Sequence, residues 1–151
     1  MGERTPHLDP NARGVFLGIS AMHEKKHFLR AVLEGVTYSL RDCLEVLREM
    51  NIPLSDMVAV GGGGTSALWR EMLCGTFSLP VKTIEAGEGP ALGVAILAGV
   101  GAGLYSSVEE ACDKLIKFTE PQMPANVDEY ERVYQIYRGI YPQIKETFAK
   151  L

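Results

Sequence analysis

Residues 58–69 read VAVGGGGTSALW. Val58, Ala59 and Val60 continue an apolar run from Met57 that predicts a strand over 57–60. Four glycines follow, and then Thr65 and Ser66 lead into Ala67, Leu68 and Trp69. From there Leu68, Met72, Leu73 and Phe77 fall on one side, which predicts a helix over 66–77. Glycine has the most conformational freedom to lose on folding, so a run of four marks a sharp turn or a very close approach to backbone. Strand, glycines and helix in this order place bare amides beside the positive end of a helix, which suits a phosphate or another anion. The alternative is a tight strand-to-helix turn with no ligand. Two familiar nucleotide motifs do not match. No Lys-Ser or Lys-Thr pair follows the last glycine, and Ser66 stands where a dinucleotide fingerprint needs its third glycine.

Working outward, residues 14–19 (GVFLGI) form a β-branched and aromatic run that predicts another strand. Over 25–50 the pattern turns helical: Phe28, Val32, Val36, Leu40, Leu44 and Leu47 recur at spacings of four or three, and Asn51-Ile52-Pro53 ends it. Residues 79–84 predict a third, short strand. Gly87-Glu88-Gly89-Pro90-Ala91-Leu92-Gly93 is a second glycine-rich turn, read as close packing, with Pro90 where a helix begins. Ser106 to Glu110 carries a capping-box signature for a helix to about Lys117. Residues 121–125 read as a linker. Asn126 starts the last helix, with Glu129 placed to complete its cap, and Pro142 is expected to kink or break it. The stripe of Tyr130, Tyr134, Tyr137 and Tyr141 reads as helix packing. Helices dominate and a few short strands lie between them, an α/β layout.

Composition bounds the function. The chain has 151 residues, 46% hydrophobic and 23% charged, which fits one globular domain with a real core. A net charge of −4 gives no footprint for nucleic acid or an anionic membrane. Cys43, Cys74 and Cys112 are odd in number and far apart, so they predict neither a disulfide framework nor a metal site, and point to a reducing cytoplasm. No signal-peptide pattern opens the sequence, and the most apolar stretch, 91–104, is too short to span a bilayer. Residues 1–7 read as the middle of a loop, so the chain is expected to be a piece of something longer.

One further motif needs weighing. His23-Glu24-Lys25-Lys26-His27 matches H-E-x-x-H, the zinc-protease pattern. A catalytic zinc helix is usually buried, whereas this one opens with two lysines and lacks the following glycine and third histidine. The reading preferred here is a solvated first helical turn with no metal.

Four stretches together resemble one family. Gly2-Glu3-Arg4-Thr5-Pro6-His7-Leu8-Asp9-Pro10-Asn11-Ala12-Arg13-Gly14 is similar to a loop of the FGGY carbohydrate kinases, and Arg30-Ala31-Val32-Leu33-Glu34-Gly35-Val36 to the helix after it. Gly61 to Arg70 resembles the family's adenosine motif, and Gly89-Pro90-Ala91-Leu92-Gly93-Val94-Ala95 its next helix. Gly64 departs from the usual alanine. The match is most like the branch acting on D-xylulose, with gluconate and glycerol branches sharing much of the pattern. It implies part of an actin-like, ribonuclease-H-like ATPase domain: the C-terminal portion over 1–151, without the N-terminal catalytic domain. It implies ATP, with Mg2+ in the full-length enzyme, and a sugar substrate. By carry-over, Gly62, Gly63 and Gly64 lie along the nucleotide's phosphate and ribose, while Ser66, Ala67 and Trp69 border the adenine. The family's base is in the other domain, so no catalytic residue is assigned here and the isolated chain is expected to be inactive. With three strands where such a sheet has about five, a homo-oligomer is expected. The rival reading is an interaction or regulatory domain that kept the fold and lost catalysis.

Overall fold

A computed structural model describes residues 2–85 and 89–151. Its first element is the helix α1, Lys25–Glu49, which the apolar spacing predicts almost to the residue. The strand β1, Met57–Ala59, and two helices follow: α2, Gly61–Thr65, and α3, Ala67–Phe77. Next come β2, Val81–Thr83, and three further helices, α4 (Gly89–Gly101), α5 (Val108–Leu115) and α6 (Val127–Phe148). The chain divides into two compact units.

One unit comprises Met1–Leu54, Gly75–Ser78 and Pro124–Leu151. Its core gathers Tyr38 and Leu44 of α1, Phe77, and Tyr130, Tyr134 and Phe148 of α6. The tyrosine stripe is therefore packing, with the Tyr38 and Tyr137 rings 5.4 Å apart. Tyr134 keeps its hydroxyl satisfied by donating to Asp42 Oδ1 at 2.7 Å. Arg41 is buried here and fully engaged. It pairs with Glu45, donates to the carbonyl of Thr76 and reaches Glu131 Oε2 at 3.2 Å. Arg48 Nη2 donates to the carbonyl of Phe77 at 2.8 Å. Two arginines of α1 thus satisfy carbonyls at the C-terminal end of α3, where no amide partner exists and positive charge is favoured.

The other unit comprises Ser55–Cys74 and Leu79–Met123. β1 and β2 are parallel, with Met57 opposite Val81, Val58 opposite Lys82 and Ala59 opposite Thr83. Parallel neighbours need a crossover, and α2 with α3 supplies it. The far side of β2 is met by bridges from Gln122 to Val81 and from Phe118 to Ile84. Met72, Cys74, Val81, Ile96 and Ala111 form the core.

Four expectations need correction. Residues 14–19 are not a strand: no described segment pairs with them along a ladder, and Val15, Phe16, Leu17 and Ile19 are exposed. β-branched composition favours a strand only where a partner accepts its hydrogen bonds. The supposed linker at 121–125 instead donates Gln122 to β2, its amide bonding Val81 O at 2.8 Å. Asn126 sits at the α6 start with φ 54°, a left-handed conformation, and its side chain makes no cap bond. Pro142 lies inside α6, which continues past it to Phe148, so the proline does not break the helix. The α5 start is as expected: Ser107 Oγ accepts from the Glu110 amide at 3.2 Å. Residues 86–88, and with them Gly87 and Glu88 of the second glycine turn, lie outside the described residues.

Candidate functional site

The carboxyl ends of β1 and β2 point the same way, and both run into glycine. β1 is followed by Val60 in extended conformation, then by Gly61 at φ +71°. β2 is followed by Ile84, and α4 opens at Gly89, whose added Cβ would stand 3.5 Å from Val60 Cβ. Val60, Gly61, Thr65, Thr83, Ile84 and Gly89 line one small open recess of about 10 Å³, room for about one water. Ligands of open α/β sheets collect at this end of parallel strands, where loops and helix starts converge.

The four glycines have different jobs. Gly61 supplies the left-handed backbone that turns the chain out of β1. A Cβ on Gly62 would meet nothing within 4 Å, so its backbone face is open to a ligand. A Cβ on Gly63 would lie 3.1 Å from Cε3 of Trp69. Gly64 is buried, and a Cβ there would stand 2.5 Å from the carbonyl oxygen of Ala59. Gly62 thus keeps an open face, whereas Gly63 and Gly64 are in internal contact.

The glycine run is itself a short helix, which the sequence reading treats as a turn. Its last carbonyls are each engaged. Thr65 Oγ1 donates to Gly62 O at 2.9 Å, the Ser66 amide to Gly63 O at 3.3 Å, and Arg70 Nη1 to Gly64 O at 2.6 Å. Ser66 then turns extended, with ψ 113°, and separates α2 from α3. Its Oγ accepts from the Trp69 amide at 3.3 Å, so it serves as the N-cap of α3. Ala67 is exposed at the first position of α3, and Trp69 is half-buried against Gly63. The six expected residues follow one another in α2 and α3, but none of them is among the residues lining the recess, and Ser66, Gly63 and Gly64 are occupied with internal contacts. The residues that do line it, Val60, Gly61, Thr65, Thr83, Ile84 and Gly89, are all missing from the sequence-level site. The only early signal for them is that a second strand also runs toward a glycine-proline helix start.

Among the described residues, no reactive side chain emerges beside the recess. Cys74 is fully buried, its thiol donating to Gln122 O at 3.1 Å, and burial pushes that thiol above its ordinary range. Lys82 Nζ is paired with Asp56 at 3.0 Å. The recess presents backbone and small side chains rather than reactive groups.

In the other unit, the H-E-x-x-H stretch straddles a helix start instead of lying on a helix. α1 begins at Lys25, after His23 and Glu24. The Ser20 amide donates to His23 Nδ1 at 2.9 Å, and the Glu24 amide donates to His27 Nδ1 at 2.9 Å. An Nδ1 that accepts a hydrogen bond puts the proton of the neutral ring on Nε2. In that tautomer neither ring presents a free lone pair for a metal.

Comparison with known proteins places this arrangement. Residues 1–102 match the family model described as "FGGY family of carbohydrate kinases, C-terminal domain". The chain is 40% identical over 152 residues to the xylulose kinase of Staphylococcus epidermidis, covering 99% of this chain and 31% of that protein. It is 37% identical over 153 residues to the xylulose kinase of Bacillus subtilis, again covering 31% of its length. Among solved structures, the ligand-bound xylulose kinase from Lactobacillus acidophilus superposes with a TM-score of 0.86 at 27% identity, covering 97% of this chain and 30% of the other. The chain therefore spans about a third of the length of the relatives it matches.

Proposed function

This chain belongs to the FGGY family of carbohydrate kinases, as a C-terminal domain of the actin-like ATPase fold, and from that premise we propose that it is the ATP-binding portion of an enzyme that phosphorylates D-xylulose to xylulose 5-phosphate. The observation carrying this reading is the recess at the carboxyl ends of two parallel strands where Gly61 and Gly89 meet, with the open backbone of Gly62 following Gly61 in the chain. The open backbone at Gly62 fits close approach by a phosphate or ribose, since no side chain stands in the way. Ala67, with Trp69 behind it, then borders the base.

Phosphoryl transfer is mostly positioning and charge stabilisation. In this reading the chain's own share is positioning. It presents the glycine backbone to the nucleotide, supports it through Ser66 and Arg70, and supplies no base. ATP is the phosphoryl donor, with Mg2+ screening its phosphates. The base, the remaining phosphate contacts and the sugar site belong to a further domain of the same enzyme. The setting proposed is the cytoplasm; no helix among the described residues is long and apolar enough to cross a membrane.

An ADP-release assay tests this. The chain alone, with ATP, Mg2+ and D-xylulose, is expected to stay at background while binding ATP weakly in calorimetry. An enzyme containing this chain together with such a further domain is expected to turn over D-xylulose in preference to gluconate or glycerol. Turnover by the chain alone would overturn the division of labour. Preference for gluconate or glycerol would overturn the choice of sugar. Nucleotide binding without turnover of any sugar would favour a regulatory domain.

A further inference from the structure

Glycine-rich backbone binds well only if something holds it in place, because it has the most freedom to lose. Here the holding groups are visible. Three successive carbonyls, of Gly62, Gly63 and Gly64, receive donors from Thr65 Oγ1, the Ser66 amide and Arg70 Nη1. The Ser66 bond belongs to any continuing helix end. The Thr65 and Arg70 bonds come from side chains and depend on those residue types. Arg70 is the stronger, being charge-assisted and short at 2.6 Å. It is also half-buried and anchored one turn into α3, whose core side carries the fully buried Met72 and Cys74.

We propose that Arg70 is a positioning residue of the nucleotide site: its guanidinium, locked to the Gly64 carbonyl, fixes the glycine helix α2 against α3 so that the open face at Gly62 is already in its bound conformation. Thr65 does the same more weakly at the Gly62 carbonyl. Arg70, which does not line the recess, needs no contact with the nucleotide, whereas Thr65 also stands on the recess wall. Each lowers the entropy that binding would otherwise have to remove. This inference rests on the reading of the recess as a nucleotide site.

The test is ATP binding to the 151-residue chain by calorimetry, with thermal melting measured in parallel. Arg70→Ala is expected to weaken ATP binding about tenfold, the loss of one charge-assisted hydrogen bond. Arg70→Lys retains a donor and is expected to recover most of that loss. A purely structural arginine would lower the melting temperature in both variants without this graded effect on affinity. Thr65→Val, at an exposed position, is expected to weaken ATP binding about threefold with an unchanged melt, and it stands as the deciding variant should Arg70→Ala fail to fold. Unchanged affinity in folded Arg70→Ala and Thr65→Val overturns the positioning role while leaving the nucleotide site intact. Absence of ATP binding by the unaltered chain overturns the nucleotide site itself, and this inference with it.

Discussion

The Trp69 ring lies directly against the backbone of Gly63: a Cβ placed on that glycine would sit 3.1 Å from Cε3 and 3.2 Å from Cζ3 of the indole. Trp69 is the single tryptophan of the chain, so its emission senses changes in the glycine run beside it. Gly63→Val is expected to displace the ring, shift that emission and weaken ATP binding. Gly62→Ala, which meets no neighbour, is expected to leave the emission unchanged and weaken ATP binding only. Equal emission shifts in both variants would show that this contact does not order the run.

Gly64 is expected to be intolerant for a different reason. A Cβ there would stand 2.5 Å from Ala59 O, which is backbone and cannot swing aside. Gly64→Ala should destabilise the chain by about 2 kcal/mol, in the range of overpacking. Denaturant unfolding measures it, and an unchanged midpoint would contradict the tight α2–β1 contact.

Zinc should not bind through His23 and His27. Ligation by Nε2 requires the proton to move to Nδ1, which would break the bonds from the Ser20 and Glu24 amides. Equilibration with zinc, dialysis and metal analysis is the check. One equivalent of retained zinc, lost on His27→Ala, would reverse this conclusion.

Glu45 should contribute to acid sensitivity. Burial pushes its carboxyl up, but hydrogen bonds and charge from Arg41 and Arg48 outweigh burial and hold it below its ordinary value of 4.5. A carboxylate with a depressed folded pKa stabilises above its unfolded pKa and loses that contribution as pH falls through the folded pKa. Glu45→Gln is therefore expected to melt lower than the unaltered chain at pH 7, with the gap closing below about pH 4. A gap that persists at pH 2 would place the effect in packing rather than charge.

Self-association is expected of the isolated chain. Phe16 and Leu17 are 50% and 70% exposed, and Val32, Val36 and Leu40 form an exposed stripe along α1. Contiguous apolar surface of this kind seeks a partner. Sedimentation equilibrium across concentrations should show mass above 16.5 kDa. A monomer at every concentration would refute it.

The helices were legible in the sequence because their signals are local. The spacing of Val32, Val36, Leu40 and Leu44 and the Ser107 cap act within one or two turns, and both hold in the structure. So was the strand–glycine–helix order of 57–77, which marks the candidate site. The fate of residues 14–19 was not legible, since strand formation depends on a partner elsewhere in the chain or beyond it. Nor was the separate role of each glycine. Four identical letters became a left-handed turn at Gly61, an open face at Gly62, a seat for an indole at Gly63 and a contact with Ala59 at Gly64. Composition announces that backbone must be bare at this point. Which atom then approaches each bare position is decided by distances of 2.5 to 3.6 Å, and those exist only once β1, α2 and α3 have packed.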